Sequence, residues 1–114
     1  MALVCYHGKN PHIIDQERAD IILNAISDVE RRKIITSIKN QFKTVNEISE
    51  KTELSTSTVY RKIKELNEKN LLISSSQILK NGKRKFSYKS KIQRVEMTFE
   101  YDTLDVKVYT NLRD

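Results

Sequence analysis

Residues 44–66 read TVNEISEKTELSTSTVYRKIKEL and contain the clearest secondary-structure signals of the sequence. Thr44 and Glu47 have the capping-box spacing, in which each side chain bonds the other residue's backbone N–H, so a short helix is expected to begin here and to end near Thr52. Ser55 offers the N-cap of a further helix. The stretch therefore predicts two helices that are joined by a tight turn.

The helix that follows Ser55 has two different faces. Val59, Ile63 and Leu66 fall at i, i+4 and i+7 and share one side, and Asn70 closes the helix. At about 100° per residue, the opposite side is polar and charged. It carries Ser57, Arg61, Lys64 and Glu68, flanked by Thr58 and Tyr60.

Two more helices are predicted upstream. Apolar residues recur near helical spacing over residues 13–26, which indicates a first helix. Ser27 and Glu30 repeat the capping-box spacing and predict a second helix over residues 28–41. Its apolar stripe consists of Val29, Ile34, Ile35 and Ile38.

Residues 1–12 show no clear period. Gly8, Asn10 and Pro11 interrupt them, so this part is predicted to be a loose arm with a short strand at residues 3–6.

A two-stranded wing is predicted after the fourth helix. Residues 71–79 are typical of a strand, and Asn81-Gly82 is the strongest short hairpin signal, because both central residues of a type I′ turn need positive φ. In the return strand, Phe86 and Tyr88 alternate with basic and polar residues. One side of this strand is expected to pack while the other stays basic.

Residues 91–110 predict a second hairpin. Apolar and polar residues alternate on both sides of a turn at residues 101–103. The apolar set is Val95, Met97, Phe99 and Tyr101, followed by Leu104, Val106 and Val108. Because an isolated hairpin is marginal in water, this apolar face must lie on the chain's own helices or on a second copy of the protein.

The order helix, helix, short helix, helix, strand, turn, strand defines the expected fold. It is an α+β winged helix-turn-helix with an N-terminal extra helix and a C-terminal β-hairpin. We expect an N-terminal arm at residues 1–12, a winged helix-turn-helix DNA-binding domain at residues 13–90, and a C-terminal hairpin at residues 91–114 as a candidate dimerisation element.

Two segments resemble a known family. Residues 27–35, SDVERRKII, look like the opening helix of ArsR-like winged-helix transcriptional regulators, and residues 44–66 look like their helix-turn-helix. The resemblance covers roughly residues 27–90 and implies DNA binding and transcriptional regulation. Bacterial members usually end in a dimerising helix, from which residues 91–110 depart, so an archaeal-type variant is expected.

Positive charge is concentrated in the middle of the chain. The net charge is +6, and the 25-residue stretch 70–94 contains no Asp or Glu. Its cations are Lys80, Lys83, Arg84, Lys85, Lys89, Lys91 and Arg94. This segregation favours a polyanionic partner, although a solvated lysine-rich face would have the same composition.

The expected partner is double-stranded DNA, with the fourth helix in the major groove. Arg61 is the candidate for base readout, because a guanidinium bonds guanine O6 and N7 together. The wing tip is expected to contact an adjacent phosphate backbone or minor groove. The candidate DNA-binding residues are Ser55, Thr56, Ser57, Thr58, Tyr60, Arg61, Lys64, Lys83, Arg84 and Lys85; for Arg61 and Lys64 the alternative is an ordinary solvated helix face, and for Ser55 it is capping alone.

Other functional classes find little support in the sequence. Cys5 is the single cysteine, which indicates a reducing, cytoplasmic location, and no apolar run is long enough to span a bilayer. Cys5, His7 and His12 lack the spacing of a structural zinc site, and no catalytic motif occurs. We therefore expect no metal, no cofactor, no membrane association and no enzymatic activity.

The sequence favours a homodimeric, sequence-specific transcriptional regulator, with dimerisation through the first helix and the C-terminal hairpin. Two alternatives stay open, namely a winged-helix protein-interaction module in a transcription or chromatin assembly and an RNA-binding winged helix. The cation-rich wing argues against the interaction module. Exposed aromatic residues near the basic surface would favour RNA, but Phe86 and Tyr88 are expected to be packed.

Overall fold

The computed structural model describes residues 2–112. Met1 of the predicted arm, and Arg113 and Asp114 of the predicted C-terminal segment, lie outside the described residues. The elements fit the predicted α+β winged helix-turn-helix. In chain order they are β1 (Leu3–His7), β2 (Asn10–Ile13), α1 (Gln16–Ser27), α2 (Val29–Ser37), α3 (Val45–Thr52), α4 (Thr56–Glu68), β3 (Leu72–Ile78), β4 (Arg84–Ser90), β5 (Ile92–Glu100) and β6 (Thr103–Thr110).

The first two helices begin at aspartates. Asp15 caps α1 by accepting a hydrogen bond from the backbone N–H of Arg18. Asp28 caps α2 through the N–H of Arg31, so the predicted Ser27–Glu30 capping box is wrong. The hydroxyl of Ser27 instead donates to a carbonyl within α1. Both Asp and Ser are good N-caps, and the sequence alone does not decide between neighbours.

The bounds of α1 and α2 differ from the prediction. Ile13 belongs to β2 and is 92% exposed, so it is not part of the first helix. Helix α2 ends at Ser37 instead of the predicted residue 41, and the carbonyl of the next residue, Ile38, accepts a hydrogen bond from the N–H of Ser90 in the wing. Val29, assigned to the apolar stripe, is 53% exposed.

The helix-turn-helix follows the predicted signals. Thr44 and Glu47 form the complete capping box of α3, and Ser55 caps α4. Glu53, in the turn between α3 and α4, has a left-handed backbone with φ of 63°. Its N–H bonds the carbonyl of Ser49, which satisfies one of the last groups of α3. Two compact helices therefore meet at a sharp turn that sets the angle between them.

Helix α4 ends where the sequence indicates. Asn70 has a φ of 60°, its N–H bonds the carbonyl of Asn67, and the N–H of Leu71 bonds the carbonyl of Leu66. This is the Schellman arrangement, with Leu66 and Leu71 both buried beside it. Asparagine tolerates the left-handed conformation better than most residues, so it stops the helix and directs the chain into β3.

Strands β3 and β4 form the antiparallel wing. The turn differs from the predicted type I′, because Gly82 has a φ of 81° whereas Asn81 is not among the residues with positive φ. The N–H of Gly82 bonds the carbonyl of Leu79, and the N–H of Leu79 bonds the carbonyl of Lys83. This is a three-residue loop with glycine at the left-handed position. The predicted hairpin is present with a different turn.

The wing is tied to the helices by backbone hydrogen bonds. Lys43, just before α3, exchanges N–H···O bonds with Tyr88 of β4 at 3.0 and 2.9 Å. The bond from Ser90 to Ile38 adds a second connection. These contacts fix the wing relative to the helix-turn-helix.

The remaining strands form a four-stranded sheet in the order β2-β1-β6-β5. Strand β1 is antiparallel to β2 and parallel to β6, while β5 and β6 are antiparallel. The sequence predicts a loose arm at residues 1–12 with a short strand at residues 3–6. The structure has that strand as β1, and it adds a second strand, β2, where no strand is predicted. Strand β1 pairs with β6, about a hundred residues away, and β2 pairs with β1; local patterns do not reveal the long-range contact.

One core joins the sheet to the helices. Val106 and Val108 of β6 and Cys5 of β1 contribute to it from the sheet. The helices contribute Ala19, Ile22, Ala25, Ile34, Ile35, Ile48, Val59, Ile63 and Leu66, and Ile38 follows directly after α2. No described helix is long and apolar enough to cross a membrane.

Candidate nucleic-acid interface

The N-terminus of α4 is a cluster of small hydroxyl residues. The hydroxyl of Ser55 accepts the N–H of Thr58 at 3.2 Å and also donates to the Thr58 hydroxyl at 2.9 Å. Ser55, Thr56 and Ser57 are exposed, whereas Thr58 is half-buried. The capping role of Ser55 is thus real. The exposed helix terminus and its hydroxyls can still receive a phosphate.

The polar face of α4 points to solvent as the helical projection predicts. Arg61 and Lys64 are exposed, with the Arg61 side chain at 61%. Tyr60 is 62% exposed. The Arg61 guanidinium lies 3.8 Å from the Glu65 carboxylate one turn further on, a surface ion pair that contributes little and is easily exchanged for another acceptor.

Lys62 orients α4, a role that the sequence reasoning missed. It is 6% exposed, and its ammonium lies 3.0 Å from Asp28 and 3.7 Å from Glu30. Arg31 of α2 lies 3.9 Å from Glu65 of α4. These ion pairs connect α4 to the start of α2 and set its orientation. The available signal was the place of Lys62 three residues after Val59, at the border of the apolar face.

The hydrogen bond from Lys62 has an electrostatic consequence for Asp28. That bond, together with one from the backbone N–H of Arg31, holds the pKa of the Asp28 carboxyl below its usual value. The carboxylate is therefore ionised at neutral pH, as both its capping role and its pairing with Lys62 require.

The wing presents a smaller cationic surface than the sequence suggests. Lys83, Arg84 and Lys85 are exposed at its tip, and none of the three forms a salt bridge with any of residues 2–112. Three of the seven cations in residues 70–94 contact neighbouring side chains of the protein. Lys91 bonds the Asn70 side chain, Arg94 pairs with Glu96, and Lys89 lies over the Phe42 ring.

Helix-turn-helix and wing meet around one surface cavity of about 530 Å³. Tyr60 of α4 and Lys85 of β4 both line it, so the structure brings predicted residues from the two elements together. Asn46, which the sequence reasoning missed, adds an exposed amide at the start of α3. Phe86 also lines it and is 50% exposed, so its predicted packing is wrong.

Tyr88 is the aromatic residue of the wing that does pack. It is half-buried, and burial, with a smaller contribution from nearby Tyr60, raises the pKa of its phenol. The hydroxyl is therefore neutral at physiological pH. Tyr88 supports the junction between wing and helices, while Tyr60 and Phe86 offer ring surface to a partner.

Cys5, His7 and His12 lie near one another at the β1–β2 pair. Cys5 is buried, and the rings of His7 and His12 are 4.6 Å apart. His7 contacts the hydroxyl of Thr110 through Nδ1 at 2.7 Å. Among the described residues, no group of three His, Cys, Asp or Glu side chains could hold a metal ion.

Comparisons with known proteins support the fold. A family model described as an HTH domain matches residues 30–82, which contain α3, α4 and the first wing strand. The solved structure named "Possible transcriptional regulator from Methanosarcina mazei Go1" is similar with a TM-score of 0.51 and 21% identity, over 79% of this chain and 75% of that one. No curated protein matches.

The order of helices and strands, together with the HTH-domain match, defines the class by its fold, which is a winged helix-turn-helix. Its four-stranded sheet accompanies the helix-turn-helix and the wing in the same chain.

Proposed function

We propose that the protein is a transcriptional regulator that binds double-stranded DNA in a sequence-specific manner. One observation carries this proposal: Tyr60, beside the polar face of α4, and Lys85 of the wing line the same surface cavity. A helix with exposed Arg61 and Lys64 fits the major groove, and the wing cations fit the adjacent phosphates.

Each candidate residue has a role in this proposal. Arg61 reads a base, and Lys64, Tyr60 and the hydroxyls of Ser57 and Thr58 contact bases or phosphates. Ser55 and Thr56 at the helix terminus take a phosphate. Lys83, Arg84 and Lys85 position the wing and carry no sequence information.

The finer assignment is an ArsR-like regulator of archaeal type that acts as a cytoplasmic homodimer without a cofactor or catalytic activity. It is supported by the resemblance of residues 27–35 and 44–66 and by strands, instead of a final helix, after the wing. A homodimer would recognise two half-sites related by the symmetry of the protein.

RNA is a second candidate because Tyr60 and Phe86 expose their rings beside Lys85. Aromatic side chains near basic residues stack on unpaired bases. Direct competition between duplex DNA and RNA separates the two candidates.

The proposal is tested by fluorescence-anisotropy titration at two salt concentrations. Wild type is compared with Arg61→Ala/Lys64→Ala on mixed duplex DNA and on RNA. Lys9→Ala/Lys107→Ala, which removes one exposed charge from the β1–β2 turn and one from β6, is the matched control. Salt-sensitive duplex binding that only the first variant loses is expected. Preferential RNA binding would transfer the function to RNA, and no binding at low salt would overturn both.

A further inference from the structure

The two edges of the four-stranded sheet differ in how they are protected. Edge strand β2 has four residues and contains Pro11, and both features discourage pairing with another chain. Edge strand β5 has nine residues with neither proline nor lysine. Its irregularity lies between Ile92 and Arg94, which leaves residues 94–100 regular.

The backbone of β5 presents free hydrogen-bonding groups at this edge. The N–H of Val106 donates to the carbonyl of Ala2 at 2.8 Å, so Val106 faces away from β5. Met97 lies opposite Val106 and therefore turns its own N–H and C=O outward. Val95 and Phe99, two residues away on either side, do the same. None of these three forms an outward backbone hydrogen bond with any of residues 2–112.

The same strand carries exposed apolar side chains. Met97 is 56% and Phe99 67% exposed, although both lie on the face of the sheet whose Val106 and Val108 are buried in the core. The helices cover this face only in part. Free backbone groups and an uncovered apolar face thus coincide on residues 95–99.

We propose that β5 pairs antiparallel with β5 of a second copy, across a twofold axis at Met97. This inference rests on the homodimer of the proposed function and names its surface. In this register Met97 meets the partner's Met97, and Val95 meets the partner's Phe99. Each of these pairs exchanges both backbone hydrogen bonds. The two sheets become one continuous sheet, with a single self-complementary interface.

The charges of β5 favour this register over the neighbouring ones, and they favour a second copy of β5 as the partner. On the other face, Arg94 meets the partner's Glu100, and Glu96 meets the partner's Thr98. A register centred on Glu96 opposes two copies of that carboxylate, and one centred on Thr98 opposes Glu96 and Glu100. One centred on Val95 pairs Arg94 with Glu96 but leaves Phe99 opposite Lys91. The sequence of β5 is therefore complementary to itself at Met97.

Sedimentation velocity of the full chain over a micromolar concentration range tests the interface. Met97→Arg places like charges at the axis and is expected to weaken dimerisation about tenfold or more. Ile13→Arg, at an exposed apolar position on the opposite edge of the sheet, is the matched control and leaves the dimer intact. Circular dichroism verifies that both variants fold.

A charge exchange tests the register. Arg94→Glu and Glu100→Arg each weaken the dimer, and the double variant recovers it, because the pair is restored with opposite polarity. A monomeric wild type would overturn both the homodimer and this surface. A dimer that withstands Met97→Arg would overturn this surface alone. DNA binding by the monomeric Met97→Arg variant is measured separately on a half-site. This measurement tests the proposed function without depending on the dimer interface.

Discussion

The ammonium of Lys62 in α4 lies 3.0 Å from Oδ2 of Asp28, the residue that caps α2. The same carboxylate therefore caps α2 and forms an ion pair with α4, the helix that carries Arg61 and Lys64. A charged side chain at 6% exposure is tolerated because Asp28 and Glu30 both face it.

We expect Asp28→Asn to lower the melting temperature, because asparagine still caps α2 but leaves the buried ammonium with Glu30 alone. Adding Lys62→Met in that background removes the poorly paired charge and recovers part of the loss. Thermal unfolding of wild type, both single variants and the double variant measures the coupling between the two sites. Simple additivity would contradict the ion pair as a stabilising contact.

The same contact predicts an acid dependence. The pKa of Asp28 is lowered in the folded protein, so its contribution to stability is fully present above its unfolded pKa of about 3.9. That contribution is lost as the pH falls through the lower, folded pKa. The free energy of unfolding, measured with denaturant from about pH 5 down to about pH 2, should fall less steeply in Asp28→Asn than in wild type. Parallel curves for the two proteins would show that Asp28 does not cause the loss of stability in acid.

Local signals predicted the helix-turn-helix well. Thr44 with Glu47, Ser55 and Asn70 each act within one turn of chain, so their hydrogen bonds follow from sequence spacing. The helical projection also identified Arg61 as exposed. The polar face of α4 could therefore be predicted from the sequence without any tertiary contact.

The misses depend on distant contacts. The pairing of β1 with β6 and the bridge between Lys43 and Tyr88 join residues that are far apart in the sequence, so neither contact has a local signature. Ile13 falls in an apolar period but lies in a strand. Phe86 alternates like a packed residue, yet it remains half exposed. Alternation indicates a face but does not show what covers that face.

The wing prediction concerns salt dependence. Replacing Lys83, Arg84 and Lys85 by alanine should weaken binding to all duplexes about equally, because the wing contacts phosphates. The slope of log affinity against log salt should become shallower by about 0.9 for each phosphate that the variant no longer neutralises. Lys9→Ala/Lys107→Ala should keep the wild-type slope. An unchanged slope in the triple variant would remove the wing from the interface.

The left-handed conformation of Glu53 predicts a stabilising substitution. Its φ of 63° strains a residue with a Cβ atom, so Glu53→Gly should raise the free energy of unfolding by about 0.5–1 kcal/mol. Glu50→Gly, in the interior of α3, should instead lower it by about 1 kcal/mol. Urea unfolding measures both changes. Equal losses in the two variants would refute the relief of strain at Glu53.

The burial of Cys5 predicts that its thiol reacts slowly in the native protein. Cys5 is 8% exposed, and burial, opposed in part by Arg18, raises the pKa of its thiol. Since the thiolate is the reactive form, labelling by a disulfide reagent should be slow in the native protein and fast in denaturant. Destabilising variants such as Asp28→Asn should label faster. Rapid labelling of the native wild type would contradict the packing of β1 against the core.

Selection of binding sites from a randomised duplex library probes the reading role of α4 without assuming an operator. Wild type and Arg61→Ala are selected in parallel, at a salt concentration where both still bind. We expect wild type to enrich a defined sequence with two symmetric half-sites. Arg61→Ala should lose preference at one base pair of each half-site, by about 1–3 kcal/mol of discrimination. A wild-type protein that enriches no sequence, or an Arg61→Ala variant with an unchanged preference, would contradict the assignment of α4 as the reading element.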